Sequence, residues 1–237
     1  MIKEVIILAG GLGTRLQPVV SDVPKCMAPV AGKPFLHYVI GFFQKNGIEH
    51  FIFSVGYMHE MIEDYLEGNY PQLNYTISLE NEPLGTGGAI KLGCNKCLEK
   101  NVLICNGDTL YKIEILSLSK VHEKTNAACT LSLKPMNYFD RYGVVELNED
   151  YSIKSFKEKQ FYKSGLINGG LYALNLEKFS EENLPRKFSF EKDYLEKNVS
   201  QSSNEKSKIY GIIQDKYFID IGIPEDYERA QIELSND

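Results

Sequence analysis

Val5-Ile-Ile-Leu-Ala9-Gly10-Gly11-Leu12-Gly13-Thr14-Arg15-Leu-Gln-Pro18 is the stretch from which the rest of the chain is read. Its apolar opening reads as a fully buried strand of a parallel sheet. Three glycines follow at once, and without a Cβ they let the backbone turn tightly and come close to a ligand. Backbone N–H groups in such a loop form an anion cradle, to which Arg15 adds a forked cation suited to phosphate. Pro24-Lys25-Cys26-Met27-Ala28-Pro29 carries a second cation. The expectation is a nucleoside triphosphate site. Two rival patterns fail: a dinucleotide fingerprint needs glycine where Leu16 stands, and a Walker loop needs lysine where Thr14 and Arg15 stand. Glycines serving only a tight turn are the bland alternative.

At 237 residues the chain has length for a substantial core in one domain, or at most two. Its hydrophobic (43%) and charged (24%) fractions are those of an ordinary soluble globular protein. A net charge of −6 without any basic block argues against nucleic acid as a partner. Phosphates must then be held by a few placed Lys and Arg residues, helped by a divalent metal. No signal core and no stretch of membrane-spanning length are apparent, so no membrane partner is expected. Five scattered cysteines suit free thiols in a reducing cytoplasm. Cys94-Asn-Lys-Cys97 lacks a second ligand pair for zinc and falls late in an expected helix, so it reads as thiols without a role. His37, His50, His59 and His122 form no ligand or triad spacing.

Beyond the glycine loop, Pro34–Phe43 reads as a helix opened by proline and ended near Asn46-Gly47. His50–Val55, Tyr75–Leu79 and Val102–Cys105 read as strands. Helices are expected through Met61, Ile62, Tyr65 and Leu66, and from near Thr86 to near Glu99. This alternation argues for right-handed βαβ units and a doubly wound sheet that binds ligands at the strands' carboxyl ends. The second half changes character. Ala127–Leu133, Gly143–Leu147, Ile153–Phe156 and Gly169–Leu174 read as short, partly antiparallel strands that extend the sheet and build one wall of a cleft. A helix over Phe190–Val199, a polar loop over 201–207, strands at Ile209–Ile213 and Tyr217–Asp220 and a helix opened by Pro224 complete the chain.

Asn106-Gly107-Asp108 follows the fourth strand, so Asp108 should project at the same sheet edge as the glycine loop. A carboxylate beside a phosphate cradle repels substrate unless a cation lies between, the arrangement Mg²⁺ sites use. Asp220 is the candidate second ligand, though spacing alone does not bring the two together. Taken alone, Asp108 reads better as a turn residue or helix cap. Glu158-Lys159 and Asn168-Gly169-Gly170 are candidate sugar-site groups; alone, a Lys/Glu run is usually a solvated turn.

Together these stretches resemble the sugar-1-phosphate nucleotidyltransferase family, in the right order and nearly end to end. Gly10–Pro18 with Pro24–Pro34 looks like its signature segment, Leu84–Ala89 its base-contacting loop, Asn106-Gly-Asp108 its metal aspartate, and Phe218–Pro224 the second metal segment. The resemblance implies a mostly parallel, Rossmann-like α/β sheet with an added antiparallel sugar-binding lobe. It implies one nucleotidyltransferase domain over 1–237, with a nucleotide-binding half over about 1–125 and a sugar-binding half over about 126–237. Arg15, Lys25 and Asp108 would be catalytic, and Asp108 and Asp220 would hold Mg²⁺. Leu8, Ala9, Gly10, Gly11, Gly13, Thr14, Glu80, Gly85 and Thr86 would bind the nucleotide. Asn106, Gly107, Tyr142, Gly143, Glu158, Lys159, Asn168 and Gly169 would bind the sugar phosphate.

The implied reaction joins a nucleoside triphosphate and a sugar 1-phosphate into a nucleotide sugar, releasing pyrophosphate. Glu80-Asn-Glu82 places acceptors where some relatives that use thymidine or uridine nucleotides have glutamine. Guanine offers two adjacent donors to one carboxylate, whereas uracil and thymine would set a carbonyl against it. GTP is therefore the expected nucleotide, with Glu80 the preferred acceptor. For the sugar, the length and the Pro-Leu-Gly-Thr-Gly-Gly-Ala wording are most similar to bacterial heptose 1-phosphate guanylyltransferases, with mannose 1-phosphate, and N-acetylmuramate 1-phosphate with UTP, as alternatives. Homodimers are common among relatives. A non-catalytic subunit that only binds nucleotide sugars would have no need of Arg15, Lys25, Asp108 and Asp220 together.

Overall fold

The computed structural model describes residues 1–11, 20, 22–200 and 208–235. The Val5 run forms β1 (Glu4–Leu8), with Val5, Ile6 and Ile7 fully buried. A 3₁₀ turn (Lys25–Met27) and a small hairpin, β2 (Pro29–Val30) with β3 (Lys33–Pro34), lead into α1 (Phe35–Lys45). This helix ends at Asn46, followed by Gly47 at φ +75°, the left-handed stop that glycine permits. β4 (His50–Val55), α2 (His59–Asn69), β5 (Tyr75–Leu79), α3 (Gly85–Cys94) and β6 (Asn101–Asn106) follow as expected, except that α3 stops before Glu99. The physical reason is Glu4. Its buried carboxylate accepts Leu98 N–H at 2.9 Å and Glu99 N–H at 2.7 Å, drawing the chain out of the helix.

β7 (Thr109–Tyr111) and α4 (Ile115–Thr125), like the β2–β3 hairpin before them, have no counterpart in the sequence reading. β8 (Cys129–Phe139), β9 (Val145–Leu147), β10 (Ile153–Phe156) and β11 (Tyr162–Asn175) come next. β8 and β11 run well past their apolar cores, because their polar ends are held by an antiparallel ladder from Tyr162–Phe139 to Leu174–Cys129. The expectation that Gly143–Leu147 and Ile153–Phe156 extend the main sheet is corrected: β9 and β10 pair with each other in a separate hairpin. After α5 (Leu176–Glu181), the expected Phe190 helix is π-helical over Phe190–Glu196 and α-helical only in α6 (Lys197–Ser200). Tyr194 stacks on Phe190 at 5.1 Å, and both rings sit edge-on to Phe179. β12 (Ile209–Ile213), β13 (Phe218–Asp220) and α7 (Pro224–Glu233), with Pro224 in its first turn, close the fold.

The central sheet has seven strands in the order β12-β8-β11-β6-β1-β4-β5. β11 alone runs against its neighbours; the other pairs are parallel. Strands from both halves of the chain thus share one mostly parallel sheet. Side chains alternate across it, as a two-residue period requires. Val5 and Ile7 join the core under α1, α2, α4 and α7, while Ile6 joins the opposite core under α3, α5 and the π-helical turn. Among the described residues no helix is long and apolar enough to cross a membrane.

Candidate active site

At the carboxyl end of β1 the chain enters Gly10 and Gly11. A Cβ on Gly10 would stand 3.0 Å from Glu80 Oε1 and 3.1 Å from Gly56 N, so only glycine lets these segments meet without displacement. Gly107 N–H donates to Leu8 O at 2.9 Å, which ties the turn after β6 to the glycine loop. Gly13, Thr14 and Arg15 lie outside the described residues, as does the polar segment 201–207.

Lys25 stands on the 3₁₀ turn, anchored by the buried Cys26 and Met27. Burial and then the nearby Asp108 push the Cys26 thiol up to about 12. The Lys25 ammonium is bonded to Asp108 and lies 3.7 Å from Asp220 Oδ1. The two carboxylates meet because β7 and β13 pair antiparallel, with Asp220 opposite Thr109, and Ile221 N–H donates to Asp108 O at 3.1 Å. Gly222 N–H holds Asp220 Oδ1 at 2.8 Å, and Tyr142 OH donates to Asp220 Oδ2 at 3.4 Å. Burial and then Asp220 raise the Tyr142 phenol. Beside it, Arg141 is bonded to the buried Asp226 of α7 and lies over the Tyr142 ring. Asp108 and Asp220 are hard oxygen donors converging on one cation, which suits Mg²⁺ completed by phosphate and water oxygens. No group of three or more His, Cys, Asp or Glu poised to bind metal occurs among the described residues.

A cavity of about 920 Å³ opens beside this cluster, the size of a mononucleotide pocket. Leu8, Gly10, Gly11, Glu80, Gly85, Thr86, Asn106 and Asp108 line it, so both expected nucleotide segments face one space. Glu80 Oε2 accepts Leu84 N–H at 3.0 Å; burial raises the carboxyl, and that hydrogen bond lowers it. Ser54, Tyr57, His59 and Glu191 also line the cavity and were not singled out from sequence. Ser54 is the one with a legible signal, since it is a polar residue near the carboxyl end of the otherwise apolar run Phe51–Val55. His59 is paired with Glu63 at 2.7 Å, while His122 is buried between Thr130 and Asn101.

The sugar-site segments are joined in pairs. Gly170, at φ +70°, brings its backbone against Asn106, whose Nδ2 lies 2.6 Å from where a Cβ would be. Asn168 donates to Tyr172 OH at 2.9 Å and accepts Gly170 N–H at 3.1 Å, while Gly169 packs under the Tyr111 ring. Gly143 lies so close to Lys157 O that a Cβ would stand 2.3 Å from it, setting Tyr142 and Gly143 beside the loop carrying Glu158 and Lys159. That loop is exposed, and neither Glu158 nor Lys159 lines the cavity. Cys94 and Cys97 are free thiols, and burial lifts Cys94 to about 12, away from the low values of redox cysteines.

This chain is 50% identical over 233 residues to the D-glycero-α-D-manno-heptose 1-phosphate guanylyltransferase of Aneurinibacillus thermoaerophilus, covering 98% of this chain and 99% of that one. To the protein of the same name from Campylobacter jejuni it is 45% identical, over 94% of this chain and 96% of the relative. The crystal structure of HddC from Yersinia pseudotuberculosis complexed with GMP-PN superposes with a TM-score of 0.87 at 33% identity, over 98% of this chain and 100% of that one. The model of the nucleotidyl transferase family matches residues 4–237. The chain therefore belongs to the nucleotidyl transferase family.

Proposed function

We propose that the protein transfers the guanylyl group of GTP to D-glycero-α-D-manno-heptose 1-phosphate, giving the GDP-sugar and pyrophosphate for surface-glycan synthesis. The observation that carries this reading is one cavity lined by both a carboxylate suited to guanine, Glu80, and the Asp108 that pairs with Lys25. Identities of 50% and 45% to proteins named for that reaction support the sugar, and a relative solved with GMP-PN supports the nucleotide.

The attacking oxygen belongs to a phosphate already anionic at neutral pH, so no general base is needed. The difficulty is bringing two polyanions together and stabilising charge as the bond from the α-phosphorus to the bridging oxygen breaks. Positioning and electrostatics supply that. Lys25, held where Asp108 and Asp220 converge, gives the cluster a cation that bridges the reacting phosphates. Arg15 steadies the leaving pyrophosphate, and Lys159 takes the sugar phosphate. Asp108 and Asp220 would hold Mg²⁺, which when bound neutralises and orients the α-phosphate. Attack is in line, with no covalent enzyme intermediate.

The test is Mg²⁺-dependent pyrophosphate release across five nucleotides and a panel of hexose and heptose 1-phosphates. GTP with the heptose 1-phosphate should be the best pair. Higher turnover with UTP or dTTP overturns the guanine assignment, and higher turnover with mannose 1-phosphate overturns the heptose.

A further inference from the structure

Glu191 belongs to none of the sequence motifs, yet it lines the nucleotide cavity from the C-terminal half of the chain. Thr86 Oγ1 donates to Glu191 Oε2 at 2.8 Å and accepts Phe190 N–H at 2.9 Å. Ser189 Oγ donates to the same carboxylate oxygen at 3.2 Å. Backbone bonds run alongside: Phe188 N–H to Leu84 O and Gly87 N–H to Phe188 O, each 3.0 Å. The approach is so close that a Cβ on Gly85 would stand 2.6 Å from Phe188 O, and one on Gly88 2.5 Å from Arg186 O. The turn opening α3 is therefore clamped by residues 186–191. That turn also carries Leu84, whose N–H holds the Glu80 carboxylate.

We propose that Glu191 is a positioning residue for the nucleotide: through Thr86 it fixes the turn that aims Glu80 at the base. The Thr86 hydroxyl donates to a charged acceptor and accepts a backbone donor, so its rotor is locked before ligand arrives. A turn ordered in advance loses less freedom when the base binds, which appears as affinity for nucleotide rather than as a faster chemical step. The inference rests on the cavity being a guanine nucleotide site.

The experiment compares wild type, Glu191→Gln, Glu191→Ala, Thr86→Val and the Glu191→Ala/Thr86→Val double variant, with GTP and UTP at saturating heptose 1-phosphate. GTP affinity is measured by calorimetry, and ligand-free melting reports folding. Glu191→Ala and Thr86→Val should each raise the KM for GTP about tenfold, and the double variant should be no worse than either single. In Glu191→Ala, turnover at saturating GTP should stay within about threefold, the preference for GTP over UTP should fall, and the KM for the sugar phosphate, measured separately at saturating GTP, should not move. Glu191→Gln, which keeps an acceptor oxygen, should stay within about threefold of wild type. An unchanged KM in Glu191→Ala overturns the proposal, as does Glu191→Gln failing as badly as Glu191→Ala. Should Glu191→Ala not fold, Glu191→Met, which keeps the length of the side chain without its acceptor, makes the same comparison, with a KM for GTP about tenfold above that of Glu191→Gln expected and an equal KM overturning the proposal. Wild-type protein that binds no GTP overturns the guanine reading itself, a result read before any variant is made.

Discussion

Lys25 Nζ and Asp220 Oδ1 lie 3.7 Å apart, and the same ammonium is bonded to Asp108, so the chain's own cation offsets one of the two negative charges of the acidic pair. The Lys25 side chain is only 12% exposed, and those of Asp108 and Asp220 are 30% and 25%. Charges this sheltered are weakly screened, and the fold does not need a metal to hold them. Chelation should therefore abolish pyrophosphate release while leaving the ligand-free melting temperature unchanged. Asp220→Asn should raise the Mg²⁺ concentration needed for half-maximal turnover by about 10–100-fold. An Asp220→Asn enzyme with a wild-type Mg²⁺ titration would remove Asp220 from the metal.

Glu80→Gln tests base reading. The amide keeps one acceptor and introduces a donor that can meet a uracil carbonyl, so the preference for GTP over UTP should shrink by about tenfold or more. Thermal stabilisation by each nucleotide reads this directly. An unaltered ratio removes Glu80 from base selection.

Gly170 is held at φ +70° with Asn106 Nδ2 occupying the space of a Cβ. Gly170→Ala should cost about 1–2 kcal/mol from the left-handed backbone alone. Because Asn106 must shift to make room, the KM for the sugar phosphate should rise more than that for GTP. Denaturant titration and two-substrate kinetics separate these effects.

His122 carries a pH dependence unrelated to catalysis. Burial and then the Lys178 charge lower it from 6.5 to about 4, and its ring is bonded to Thr130 and Asn101. Between about pH 6.5 and 4 the unfolded chain binds a proton that the folded one does not, so stability rises with pH across that window and is lost on acidification. The full loss is about 3 kcal/mol. Urea denaturation at pH 7 and pH 4.5 should show it, and His122→Gln should flatten the slope. A His122→Gln protein with the wild-type slope would place the titration elsewhere.

Local chemistry in the sequence determined much of this protein. The Val5–Leu8 run, the glycines after it and the alternation through His50–Val55 and Tyr75–Leu79 carry their structure in short-range patterns, because burial on both faces and a tight turn each leave a local signature. Glu80, Asp108 and Lys25 were legible for the same reason: each directly follows a strand or lies in the signature segment. Tertiary structure alone decided what joins them. Asp108 meets Asp220 through β7 and β13: the three-residue β7 is too short to register in the sequence, and its pairing with the expected strand at Tyr217–Asp220 is a long-range hydrogen-bonding choice. Glu4 stops α3 early from a strand distant in sequence, and β9 and β10 leave the main sheet to pair with each other. Glu191 reaches the cavity only because the π-helical turn packs its aromatic rings against β11 and α5 and brings its N-terminal end against α3. Residues so far apart in sequence leave no periodicity to read, and the free energy that sets them side by side belongs to the packed core.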